Sequence, residues 1–215
     1  NMIKKELELM KKTLFVFMFL ALASPSGLFA ADTLDVAASS TADPFTLNAA
    51  HTAGGYKVYR LARGGQYLMN ATIVDSSDDG LRIVGAAGTG ARPVIQPSPG
   101  SDGTLPSVLF KNTKNSSTTV FKDVAFNGNG PSKIGRTGSM FEGNGKDQRV
   151  VVSGVIVEGF AGRGWGGGEM LASTSSGMRW HIDDSIFRGI NGGNIFNGGV
   201  LRGAAGGGMD YDTLI

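Results

Sequence analysis

Four charged side chains near the C-terminal end of the sequence are suited to acid–base chemistry on a bound substrate: Glu158, Asp183, Asp184 and Arg188. A carboxylate can donate or accept a proton, and a guanidinium can neutralise an anion during a reaction. Glu158 and Arg188 are separated by about 30 residues, so a structural repeat of that length would place them on neighbouring strands. Such a pair serves either a catalytic groove or a surface ion pair, and surface pairs are common on exposed sheets. Glu158, Asp183 and Arg188 are therefore the candidate catalytic residues.

A second acidic group, formed by Asp75, Asp78 and Asp79, comes directly before Gly80. Carboxylate oxygens are the ligands that Ca²⁺ prefers, which makes these three residues candidate metal ligands. The segment lacks the full pattern of a calcium-binding loop, and it lies between two apolar stretches where Asp and Gly commonly form a turn. A Ca²⁺ site and a plain turn both stay open, and the sequence indicates no other cofactor.

Trp165 stands in a glycine-rich segment and is the candidate substrate-binding residue, because an aromatic ring suits the apolar face of a sugar. Nucleophilic catalysis has little support: the chain has two histidines, His51 and His181, no cysteine and no Gly-x-Ser-x-Gly motif. His181 is expected at the start of a strand, with a structural role.

An internal repeat predicts the elements that position these residues. Residues 120–128, 151–159 and 181–189 align without gaps, at a regular spacing of about 30 residues. Side chains alternate between the two faces of a strand, so equivalent positions can stack on one another. A flat unit of this kind cannot bury its apolar side alone, which predicts a solenoid whose aligned strands are parallel neighbours. Two apolar stacks are expected: Phe121, Val152 and Ile182, and then Phe126, Val157 and Phe187.

A second series has the same period and joins Leu109, Phe141 and Leu171, with Phe196 following after a shorter interval. Each unit therefore carries two or more short strands. Asp123, Gly154 and Asp184 share one position of the aligned segments, and they are expected to form a turn.

The upstream sequence resembles a known family. Gly64-Gly65-Gln66-Tyr67-Leu68 precedes Thr72-Ile73, then Leu81-Arg82-Ile83-Val84-Gly85 and then Pro93-Val94-Ile95. This order resembles the start of pectin-lyase-like right-handed parallel β-helices, including the chondroitinase-B-like and pectate-lyase-like polysaccharide lyases. Residues 187–196 also resemble exported Bacteroidetes-type β-helix proteins. The resemblance covers roughly residues 50–215. It implies an all-β, right-handed, single-stranded parallel β-helix with coils of roughly 30 residues, and β-elimination of a uronate-containing polysaccharide, with Ca²⁺ in some members.

Residues 11–30 have the layout of a secretory signal peptide: two lysines, an apolar run and a small residue at Ala30. The apolar run is shorter than the roughly 20 residues of a membrane helix, so no retained membrane span is expected. The predicted organisation is residues 1–30 as upstream residues and signal peptide, 31–50 as an N-terminal lead-in, and 51–215 as β-helix coils. The sequence ends where another strand begins, without a capping element, so the solenoid is expected to be truncated there.

Charge limits the choice of partner. Residues 1–30 hold four of the 20 basic residues and two of the 18 acidic ones, which leaves 16 of each. A balanced chain gives no electrostatic case for nucleic acid. We therefore expect a monomeric bacterial protein that is secreted, periplasmic or on the cell surface, and that binds or cleaves polysaccharide, as a lyase if it is an enzyme. The alternative is a non-catalytic, adhesin-like structural β-helix protein, which the balanced charge and the lack of a basic cluster in the sequence favour.

Overall fold

The computed structural model describes residues 32–130, 135–160, 163–166, 177–188 and 210–214. The predicted signal peptide lies outside these ranges, as do Leu171 and Phe196. The described elements from Thr33 onward belong to one compact unit.

Short strands dominate this unit, and one helix interrupts them near the start. The elements are β1 (Thr33–Val36), α1 (Thr46–Ala53), β2 (Val58–Leu61), β3 (Gln66–Met69), β4 (Ile73–Asp75), β5 (Arg82–Gly85), β6 (Val94–Pro97), β7 (Val108–Asn112), β8 (Thr118–Lys122), β9 (Ala125–Asn127), β10 (Ser139–Gly143), β11 (Arg149–Ser153), β12 (Ile156–Glu158), β13 (Arg163–Gly166), β14 (Arg179–Asp183), β15 (Ile186–Arg188) and β16 (Asp210–Leu214).

The strands form three parallel sheets. Sheet A has the order β1-β2-β5-β8-β11-β14-β16, sheet B the order β3-β6-β9-β12-β15, and sheet C the order β4-β7-β10-β13. From β2 to β15 the chain visits sheets A, B and C in constant rotation, and each strand from β2 to β12 pairs in parallel with the strand three places later. The prediction of an all-β fold built on parallel strands is confirmed at this level.

The pairing register confirms the repeat. Val151 lies opposite Val120 on one side and His181 on the other, as the alignment requires. Val157 lies opposite Phe126 and Phe187 in the same way. Both apolar stacks point inward: their four members on the inner coils are fully buried, whereas Ile182 and Phe187 are partly buried against the core.

The second series is wrong on both sides of Phe141, by one residue at Leu109 and by six at Leu171. Phe141 pairs with Phe110 and not with Leu109, and its partner on the other side is Trp165. Strands β7 and β10 carry consecutive buried residues, so no alternation marks which side chains face inward. The structure gives three strands to each circuit, one in each sheet, where the sequence predicted two or more.

Three phenylalanines from the three sheets meet in the interior. Phe110 on β7, Phe121 on β8 and Phe126 on β9 pack edge to face, with ring centroids 5.3 to 5.9 Å apart. Phe141 continues this cluster at 5.8 Å from Phe121 and reaches Trp180 at 6.0 Å. Edge-to-face pairs add about 0.5–1.5 kcal/mol each to the gain from burial. The core therefore lies between the sheets.

Helix α1 packs against β1 and β3 and buries Leu47 completely. The sequence did not indicate it, because eight residues are too few for a clear helical period. The helix crosses the predicted boundary between the lead-in and the coils, and β1 in the lead-in is already the first strand of sheet A. Nothing helical in the described ranges has the length and apolar character needed to cross a bilayer.

Candidate functional site

Glu158 and Arg188 form an ion pair on the outer face of sheet B. They are direct neighbours on β12 and β15, and Arg188 Nε donates to Glu158 Oε2 over 2.7 Å. Their side chains are 36% and 64% exposed, so the pair stabilises the fold by no more than about 1 kcal/mol. Of the two predicted roles, the geometry matches the surface ion pair, and the Arg188 guanidinium is already engaged by a carboxylate.

Asp183 belongs to a different sheet from Glu158 and Arg188. It ends β14 on the outer face of sheet A, opposite Ser153. It lines a cavity of about 270 Å³ at the corner between sheets A and B, together with Arg92 and Asp184. The Nε atom of Arg92 is buried there without a hydrogen-bond partner. The three candidate catalytic residues are therefore divided between two outer faces.

The corner between these sheets is the predicted turn. Asp123, Gly154 and Asp184 all have positive φ, at +54°, +62° and +43°. The amide of Asp123 donates to Ser153 O, and that of Gly154 donates to Asp183 O, so the parallel pairing continues through the turn. Asp and Gly accept this backbone conformation more readily than most residues, which explains their recurrence at one position.

Asp75, Asp78 and Asp79 make separate contacts. Asp75 is only 5% exposed, and its Oδ1 accepts hydrogen bonds from the amide and hydroxyl of Ser77. Asp78 pairs with Lys114 at 2.5 Å, and Asp79 pairs with Lys57 at 2.7 Å. No three acidic or histidine side chains in the described ranges lie close enough to hold a metal ion together. The Ca²⁺ site stays a prediction.

Trp165 lies on β13, where its backbone pairs with Phe141 at the edge of sheet C. Its side chain is outside the described part of the structure. The assignment of Trp165 to substrate binding therefore stays a prediction.

The outer face of sheet A carries a cluster of cations, and the expectation that the chain has no basic cluster is wrong. Arg149 and Arg179 are direct neighbours on β11 and β14. His181 lies two positions after Arg179 on β14. It shares a cross-strand row with Arg82 of β5, and the residues between them in this row are Val120 and Val151. Lys122 lies in the next row. We call the four exposed cations Arg82, Lys122, Arg149 and Arg179 the basic face.

From β5 to β16, two acidic residues stand in the rows of the basic face within the described ranges: Asp183 on β14, and Asp210 on β16, directly opposite Arg179. No ion pair or side-chain hydrogen bond in the described ranges joins any of the four cations of the basic face to a carboxylate. Arg60 differs, since its guanidinium binds both carboxylate oxygens of Asp35 on the neighbouring strand. This hydrogen-bonded pairing lowers the pKa of Asp35. The paired Arg60 therefore contrasts with the four cations of the basic face, which form no ion pair in the described part of the chain.

The sequence could have predicted that two of these cations, Arg149 and Arg179, are neighbours. Arg149 and Arg179 are separated by the same interval as Val151 and His181 of the aligned segments, but they stand just before those segments begin. Lys122 lies in the first aligned segment, opposite Ser153, so the alignment also gives its row. Arg82 carries no such signal, because the stretch of chain between the paired strands β5 and β8 is longer than the repeat.

The outer face of sheet B is polar in a different way. Gln66 donates to Gln96 over 2.9 Å, and Gln96 donates to the carbonyl oxygen of Asn129 over 2.7 Å. Asn129 in turn donates to Asn127. These amides form a continuous ladder across β3, β6 and the end of β9, and the Glu158–Arg188 pair continues the row on the next strands.

Comparisons of the chain with protein-family models, with curated proteins and with solved structures found no match.

Proposed function

We propose that the chain forms a right-handed parallel β-helix of the pectin-lyase-like type. The constant rotation of the chain through sheets A, B and C supports this proposal, because it is the path of a coil that climbs one strand at each circuit. Connections between parallel strands of one sheet are right-handed in about 98% of cases. The coil length supports it as well, since Val151 pairs with Val120 and with His181, each about 30 residues away along the chain.

We propose that this β-helix is an exported protein that binds an acidic polysaccharide on the basic face. The observation that carries the proposal is the juxtaposition of Arg149 and Arg179 on neighbouring strands. Neither forms an ion pair in the described ranges, and Asp210 is the neighbour of Arg179 on the next strand. Strands in a sheet are about 4.8 Å apart, so the two guanidinium groups can meet carboxylates at successive points of a polymer laid across the strands. Each guanidinium can bind a carboxylate with two hydrogen bonds.

The composition of the basic face favours polysaccharide over nucleic acid. Proteins that hold single-stranded nucleic acid combine cations with aromatic rings on which the bases stack. The outward positions of β5, β8, β11 and β14 carry valine, threonine and serine between the cations, and they include no phenylalanine, tyrosine or tryptophan. A hydrated, carboxylate-bearing polymer fits such a surface better than a stack of bases.

A lyase activity is the second candidate, and His181 favours it. β-Elimination of a uronate needs a cation that neutralises the carboxylate, a base that removes the adjacent proton and an acid for the leaving oxygen. His181 is exposed on β14 between Arg179 and Asp183, with Arg149 on the next strand. Glu158 and Arg188 are engaged with each other on sheet B, so we propose His181 as the base in place of those two residues.

The test is binding of the purified chain to a panel of uronate polysaccharides and to a neutral glucan, with and without Ca²⁺. We expect binding to the uronate polymers alone, and an affinity at least about tenfold weaker in the variant with Arg149→Thr and Arg179→Thr, equivalent to about 1.4 kcal/mol. Arg60→Thr is the matched control, because Arg60 lies on the same sheet and is already paired with Asp35. Equal binding to the neutral glucan, or unchanged binding by the double variant, would overturn the proposal.

The same samples separate the two activities. A lyase releases unsaturated products that absorb ultraviolet light, and His181→Ala should abolish this signal while binding persists. Binding without any product in the unmodified chain would refute the lyase proposal and leave the non-catalytic, adhesin-like glycan-binding protein.

A further inference from the structure

A second cavity of about 270 Å³ lies far along the sheet from Arg149 and Arg179, where α1 ends beside the segment that follows β4. Residues from three elements and their connections line it: His51 at the end of α1, Tyr56 and Tyr59 around the start of β2, and Asp75 at the end of β4. None of these residues belongs to the basic face.

Asp75 brings an unsatisfied negative charge to this cavity. Its Oδ1 is held by Ser77, but its Oδ2 is buried and has no hydrogen-bond partner among the described residues. A buried acceptor without a donor costs about 1–3 kcal/mol, and a charged one costs more. The neighbouring acids are paired, since Lys57 binds Asp79 and Lys114 binds Asp78.

Two further side chains of the cavity, His51 and Tyr59, carry atoms that can accept hydrogen bonds. His51 Nε2 lies 3.2 Å from the carbonyl oxygen of Val74 and donates to it, and in the neutral ring this makes the other nitrogen, Nδ1, an acceptor. The Tyr59 hydroxyl lies 3.5 Å from Nδ1, and a hydroxyl that donates to this nitrogen keeps the lone pairs of its oxygen for a ligand. The C-terminal end of α1 adds a partial negative charge through its carbonyl groups.

Aromatic rings complete the wall. Tyr59 is almost fully buried, its ring centroid lies 6.1 Å from that of His51, and Tyr56 is 39% exposed at the mouth. The faces of aromatic rings attract cations and also pack against the apolar face of a sugar ring. The cavity thus combines a buried carboxylate oxygen, further acceptors and aromatic faces, a set that calls for a ligand with several donors and a positive charge.

We propose that this cavity binds the ammonium group of an amino sugar residue. An ammonium group supplies three donors and a charge opposite to that of Asp75. The cavity volume suits one sugar ring, whose apolar face packs on Tyr56 while its ammonium group pairs with the Asp75 carboxylate. Because Oδ2 is buried, the Asp75 side chain must turn toward the cavity when the ligand binds. The site is independent of the polyanion site proposed for the basic face.

The test is titration of the purified chain with glucosamine, N-acetylglucosamine and glucose, followed by ligand-detected NMR. These probes share one ring and differ in carrying an ammonium, an amide or a hydroxyl group at the same position. We expect glucosamine to bind at least about tenfold more tightly than the other two, equivalent to about 1.4 kcal/mol. Equal binding of glucosamine and glucose, or no binding of glucosamine, would overturn the proposal.

Two variants place the bound ligand in the cavity. Asp75→Asn should remove the preference for glucosamine, whereas the control Asp78→Asn, which changes a nearby exposed acid, should leave it intact. Tyr56→Ala should weaken glucosamine binding at least about tenfold without touching a buried residue, so the proposal stays testable if Asp75→Asn unfolds the chain. Unchanged glucosamine binding in Tyr56→Ala would refute this site. Binding of uronate polymers should persist in all three variants.

Discussion

Replacing Arg149 by threonine should stabilise the fold and weaken ligand binding at the same time. Thr118 occupies the equivalent position on the preceding strand, so the substitution extends an arrangement that sheet A already contains. Arg149 and Arg179 are like charges on directly paired residues, and like charges placed this way destabilise a sheet. If Arg149 were kept for stability, its replacement would lower the free energy of unfolding.

The strand spacing sets the size of this effect. Two unit charges separated by about 4.8 Å in water repel each other by about 0.9 kcal/mol. Long arginine side chains can diverge, and salt with a Debye length of about 10 Å at 0.1 M screens part of the repulsion. We therefore expect Arg149→Thr to raise the free energy of unfolding by about 0.5 kcal/mol at low salt, and the gain to disappear at about 1 M salt, where the Debye length is about 3 Å.

Urea unfolding with linear extrapolation measures this difference, and a double-mutant cycle with Arg179→Thr isolates the interaction between the two arginines. The second substitution should bring less stability than the first, because the repulsion is already gone. Strictly additive effects at low salt would refute the reasoning, as would a loss of stability in Arg149→Thr that persists at both salt concentrations.

Three further predictions concern the coils themselves. Phe126→Ala should lower the free energy of unfolding by about 4 kcal/mol in urea, because it leaves a cavity in the fully buried aromatic cluster, whereas Asn127→Ala on the outer face should cost less than about 1 kcal/mol. Similar costs for both would contradict the inward register. Gly80→Ala should lower the melting temperature, because Gly80 has a φ of +74° and an added Cβ would lie 2.0 Å from the carbonyl oxygen of Thr118; an unchanged melting temperature would show that the two strands are not this close. Glu158→Gln should change the free energy of unfolding by less than about 1 kcal/mol and leave uronate binding unaffected, since its ion pair is exposed; a marked loss of binding would return the site to sheet B.

The repeat could be predicted because three short segments keep both their spacing and their alternation. Val151 pairs with the two residues that the alignment matched to it. Where a strand is buried on both sides, the alternation of apolar and polar residues does not indicate its register. The sequence therefore could not show that Phe141 pairs with Phe110 and not with Leu109. On β10 all five residues are buried, so the sequence contains no contrast from which to read the register.

The candidate sites were harder to predict, because their residues meet across coils. The four cations of the basic face are well separated along the chain, so the sequence contains no basic run that marks them: Arg82, Lys122, Arg149 and Arg179. The cavity beside α1 depends on a helix that no periodicity in the sequence indicates. It also depends on Asp75 Oδ2, and a sequence does not show that this oxygen is buried without a hydrogen-bond partner. A sequence gives the types of residue in such sites, whereas the register decides which of them become neighbours.

The uneven length of the circuits bears on how this protein can change over time. Val58 pairs with Arg82, and Arg82 pairs with Val120 after a much longer stretch of chain, yet both pairings are parallel and in register. Residues gained or lost between the sheets therefore alter the loops at the corners and leave the strands in place. Insertions at these corners can build new recognition surfaces beside an unchanged frame, and duplication of a whole circuit would lengthen the outer faces one strand at a time.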